Sequence, residues 1–82
     1  MSLTDQPTVL WKLRRDAEEM ACQVRLVPYG IEVDIARGGA IVLTRAFDTD
    51  DEALAWAREK RLAREASGWT AAPVEKTDSR TM

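Results

Sequence analysis

Thr8 to Glu19, TVLWKLRRDAEE, decides the architecture, because it fits two different structures. Leu10, Leu13, Ala17 and Met20/Ala21 fall on one helical stripe, and the composition suits a helix. Read with a period of two, Trp11 and Leu13 point one way, Arg15-Asp16-Ala17-Glu18 turns, and Met20, Cys22, Val24 and Leu26 return on the same face. The four-residue turn then pairs Leu13 with Met20 and Trp11 with Cys22. The helical reading gives an α-β-β-β-α order. The extended one gives a four-stranded antiparallel meander followed by a single helix.

Downstream, alternation continues. Ile31, Val33 and Ile35 alternate with Glu32 and Asp34, and Ile41 and Leu43 lead to Phe47. Pro28-Tyr29-Gly30 and Arg37-Gly38-Gly39-Ala40 punctuate the strands as turns. A two-residue Tyr29-Gly30 loop sets Leu26 opposite Val33 and Val24 opposite Ile35, and so unites the apolar residues. A three-residue Pro28-Tyr29-Gly30 loop suits the local turn chemistry but shifts the register by one and breaks that match.

The segment after Phe47 is a helix, expected over 50–66. Thr49 and Glu52 have capping-box spacing, acidic residues open the first turn, and Arg58, Lys60, Arg61 and Arg64 suit the later turns of the dipole. Gly68 fits the left-handed position beyond the last turn, with Trp69 packing back after it.

Trp11-x-Leu13, Cys22-x-Val24-Arg25-Leu26, Pro28-Tyr29-Gly30-Ile31-Glu32, Phe47, Glu52-Ala53-Leu54 and Gly68-Trp69 together resemble a group of very short bacterial proteins without assigned activity. The resemblance covers most of residues 11–69. It implies a strand hairpin after Trp11-x-Leu13, where that group often has a glycine-containing turn, although this chain has Asp16-Ala17-Glu18 instead. It implies no activity, cofactor or site.

The expected architecture is therefore α+β, a four-stranded antiparallel meander with one C-terminal helix on its apolar face. That face is expected to carry Trp11, Leu13, Met20, Cys22, Val24, Leu26, Ile31, Val33, Ile35, Ile41, Leu43 and Phe47. The opposite face is mixed, and Arg25 pairs with Asp34 across it. One domain is expected over 8–69, with polar tails at 1–7 and 70–82. No apolar run approaches the roughly 20 residues that span a bilayer, and the first residues lack the pattern of a signal peptide. With a single cysteine, that places the protein in the cytoplasm.

Chemistry is limited by what is missing. Without histidine, Ser-His-Asp and Cys-His nucleophile activation and histidine metal sites are excluded. Cys22 reads as a buried, inert thiol. Asp48, Asp50, Asp51 and Glu52 read as helix-capping charge rather than an EF-hand, which needs a glycine that is absent here. No catalytic residue, cofactor or metal is expected, and the chain reads as a non-enzyme.

The remaining function is binding. Trp56, expected at the border of an alanine-rich side (Ala55, Leu62, Ala63, Ala66) and a cationic side that also carries Ala57, forms with Arg58, Lys60, Arg61 and Arg64 the candidate partner contact. A net charge of −2 and the acidic helix start argue for a protein partner, a second copy included, over nucleic acid or membrane. Self-association through an edge strand or the mixed face is expected of so small a two-layer domain. The alternative, tied to the α-β-β-β-α order, is a nucleic-acid-binding module.

Overall fold

The computed structural model describes residues 7–74. Its elements are β1 (Thr8–Arg15), β2 (Glu18–Val27), β3 (Gly30–Arg37), β4 (Ala40–Phe47), α1 (Asp50–Ala66) and β5 (Thr70–Ala72). Thr8–Arg15 is a strand, so the α-β-β-β-α order falls, and with it the fold argument for a nucleic-acid-binding module of that type. The strands form one antiparallel sheet in the order β4-β3-β2-β1-β5, with α1 laid across β1, β3 and β4.

The β1–β2 pairing has the expected register, Leu13 opposite Met20 and Trp11 opposite Cys22. The ladder closes one step further than expected, at Arg15 and Glu18. The resulting tight turn needs a positive φ, which Asp16 adopts at 55° in place of the missing glycine. Aspartate tolerates that region better than most side chains.

The β2–β3 register matches neither expected loop. Val24 faces Val33, Cys22 faces Ile35 and Leu26 faces Ile31, with Pro28-Tyr29 as the loop and Gly30 already in the strand opposite Val27. Gly30 has φ 150°, and a Cβ there would come within 2.5 Å of the Phe47 carbonyl oxygen. The close passage of β4 therefore draws Gly30 out of the loop and into the ladder.

The C-terminal helix begins and ends as its sequence signals require. The Thr49 hydroxyl accepts from the Glu52 amide at 3.2 Å. At the far end the Trp69 amide donates to Arg64 O and the Gly68 amide to Glu65 O, both at 3.1 Å, with Gly68 at φ 102°. This pair of bonds is the Schellman closure.

The inward helix face differs from expectation. Ala53, Trp56 and Ala57 are buried, whereas Ala55, Leu62, Ala63 and Ala66 face outward. Small apolar residues surround this helix, and the largest one, Trp56, determines which side is worth burying. It packs 5.7 Å from the Phe47 ring centroid.

The core is completed by Trp11, Leu13, Met20, Cys22, Ile31, Val33, Ile35 and Trp69. Three residues expected in it, Leu26, Ile41 and Leu43, are instead exposed. A bulge at Val42 breaks the alternation of β4, so that Leu43 lies opposite Ile35 but Ile41 lies opposite Ala36.

The expected tails lie largely outside the described residues. The exception is Thr70–Ala72, which pairs with Leu13 and its neighbours as β5 rather than forming tail.

Candidate interaction surface

Trp56 is only 9% exposed, so the indole belongs to the core and presents little surface to a partner. Lys60 Nζ lies 5.2 Å above its ring centroid. Arg58 and Arg64 are exposed, and Lys60 and Arg61 are half-buried. Arg61 Nε lies 3.9 Å from Glu65, an i,i+4 pair within the helix. The five candidate residues thus form a helix flank and not one concave site.

Cys22 has no exposed surface, and burial foremost, with Asp34 behind it, pushes its thiol pKa up to about 12. Folded protein is therefore expected to react with a thiol reagent at least about 100-fold more slowly than the urea-unfolded chain. Time-resolved labelling checks this, and equal rates would contradict it.

The helix-free face holds a charge network whose centre is Asp34, which has no accessible surface although no helix covers it. Thr44 Oγ1 donates to Asp34 Oδ1 at 2.6 Å, while Arg25 Nε and Gln23 Nε2 donate to Oδ2 at 3.1 and 3.4 Å. The expected Arg25–Asp34 pair is present as a diagonal, since Arg25 stands directly opposite Glu32 and meets it at 2.7 Å. Tyr29 then donates to Glu32 at 2.8 Å. Burial alone raises the Asp34 pKa, but the hydrogen bonds from Thr44, Arg25 and Gln23 together outweigh it and hold the carboxyl below its ordinary value. Within this network the charges of Arg25, Glu32 and Asp34 are paired with one another. Alternation places Asp34 on this face as a cross-strand partner of Arg25, and what alternation does not show is its complete burial among donors from adjacent strands.

The edges of the sheet differ from one another. On one side the three-residue β5 covers the outer backbone of β1. On the other, β4 is exposed through Ala40–Ala46 and bears Ile41, Val42 and Leu43 at 55%, 60% and 43% exposure. The last strand of a meander is an edge by construction, so this location was deducible. What the apolar run concealed was that Ile41, Val42 and Leu43 stay exposed although α1 reaches β4. At the Phe47 end an open hollow is lined by Tyr29, Arg45, Phe47, Asp48 and Glu52.

Among the described residues no group of three or more histidine, cysteine or carboxylate side chains is placed to hold a metal ion, and no helix is long and apolar enough to cross a membrane. These features define a two-layer α+β protein with one covered and one open sheet edge. In comparisons with known proteins, no family model, curated protein or solved structure matches the chain.

Proposed function

We propose that this chain is a cytoplasmic, non-catalytic protein-binding module that receives a partner strand along the β4 edge. The observation that carries the reading is the exposure of β4 from Ala40 through Ala46 with three consecutive large apolar residues on it. An edge strand offers unpaired N–H and C=O groups for strand addition, and apolar neighbours on both faces give the added strand something to cover. The buried, unreactive Cys22 fits a reducing compartment. Arg64 stands in the last helical turn, where the dipole favours a cation, and Arg58 is an exposed residue at mid-helix, so neither needs nucleic acid to explain it.

Affinity capture from the source cells tests this, using wild type and Leu43→Lys, each first shown to be folded by circular dichroism. A specific protein, or further copies of this chain, held by wild type and reduced at least about tenfold by the substitution is expected. Equal retention would remove β4 from the reading. Oligonucleotide binding with a steep salt dependence would overturn the protein-binding class.

A further inference from the structure

We propose that the occupant of the β4 edge is a second copy of this chain, the two β4 strands pairing antiparallel about a two-fold axis at Leu43 so that the two sheets become continuous. This rests on the edge reading above and names its partner.

The occupant must present apolar groups on both faces, because Leu43 lies on the helix side opposite Ile35 and Ile41 on the other side opposite Ala36. β4 itself meets that demand. The chain's C-terminal residues 75–82, EKTDSRTM, do not, and they follow the strand at the opposite edge. Arg45 is the one charge within Ala40–Phe47 and lies on the helix side, so with the axis at Leu43 and Val42 bulged out of both strands it faces Ala40 of the other copy and no like charge.

Charge fixes the direction. Beyond Phe47 the chain enters Asp48, Asp50, Asp51 and Glu52, whereas Arg37, at the other end of β4, is already paired with Glu18 at 2.8 Å. Antiparallel pairing keeps the two acidic ends apart. Parallel pairing would set acid beside acid.

Geometry also closes the assembly. Among the described residues β4 is the one long strand edge with nothing paired along it, since β5 covers Lys12–Arg14 of β1 on the other side, so pairing gives a dimer and not a fibre. The bulge at Val42 shortens the regular ladder. One strand pair is a small contact, at or below the ~1,200 Å² of standard interfaces, and the dissociation constant is expected in the micromolar range.

Sedimentation equilibrium across about 1 to 100 µM, which brackets that range, is expected to show a monomer–dimer equilibrium that Leu43→Lys weakens at least about tenfold. Directed disulfides give the register. Directly opposed residues in an antiparallel ladder are ~4.5–5.5 Å apart at Cα, which suits a disulfide. A mixture of Ala40→Cys and Arg45→Cys chains, the helix-side pair that the two bulges set opposite each other, should therefore cross-link unlike to unlike well above the statistical share, with buried Cys22 silent. A statistical or like-with-like pattern overturns the proposal, as does a dimer indifferent to Leu43→Lys. A chain that stays monomeric yet loses a captured protein on Leu43→Lys overturns self-pairing and leaves the edge reading standing. A monomer in which Leu43→Lys changes nothing overturns both.

Discussion

Trp11→Ala is expected to cost about 3–5 kcal/mol of folding stability, the range for removing a buried tryptophan. Trp11 lies in β1 with its ring under α1, and its Nε1 donates to the Ala57 carbonyl at 2.9 Å. One side chain thus supplies both apolar burial and the polar link between two elements 46 residues apart. Chains of this length have total stabilities of roughly 0.05–0.15 kcal/mol per residue, so the substitution removes much of the total and lowers the melting temperature by at least about 10 °C. Trp11→Phe separates the two contributions, because it retains a ring and loses the N–H. Its cost is expected at about 1–2 kcal/mol. Urea unfolding followed by far-UV circular dichroism measures both. A Trp11→Ala protein within about 1 kcal/mol of wild type would show that the helix is held elsewhere.

The same residue shows how legible the fold was. Trp11 and Leu13 predicted their β2 partners correctly because a strand that buries one face cannot slip by one residue without exposing all of it. The β2–β3 hairpin shows the limit of that logic. The expected Tyr29-Gly30 loop and the observed Pro28-Tyr29 loop differ by a two-step shift in pairing, which leaves every side chain on its original face. Alternation cannot separate them, and the observed pairing is the one that sets Gly30, the residue without a Cβ, against the backbone of Phe47 from a strand further along.

Helix ends were readable for the opposite reason, since Thr49, Gly68 and Trp69 act within a turn of their own positions. The helix face was not, because alanines on every side leave no stripe. Burial of Trp56 and exposure of Leu43 both depend on where α1 crosses the sheet, and no local pattern contains that. The candidate surface moved accordingly, from the flank around Trp56 to the β4 edge.

Asp34→Ala is expected to destabilise by about 1–3 kcal/mol at neutral pH, because it removes the acceptor that Thr44, Arg25 and Gln23 share at a position with no accessible surface. Arg25 keeps Glu32 and remains partly in water, so its Coulomb share is screened and the loss falls mainly on the hydrogen bonds. The pH dependence separates this account from simple loss of packing. The folded Asp34 pKa is depressed below the value of about 3.9 expected in the unfolded chain. Its charged-state contribution is thus fully present above about pH 4 and disappears as pH falls through the lower folded value. Wild type should therefore lose stability more steeply than Asp34→Ala on going from pH 5 toward pH 2, and the gap between them should narrow. Urea titrations at matched ionic strength check this. Parallel acid profiles would mean that the Asp34 carboxylate does not gain from its three donors, and that the alanine effect is packing alone.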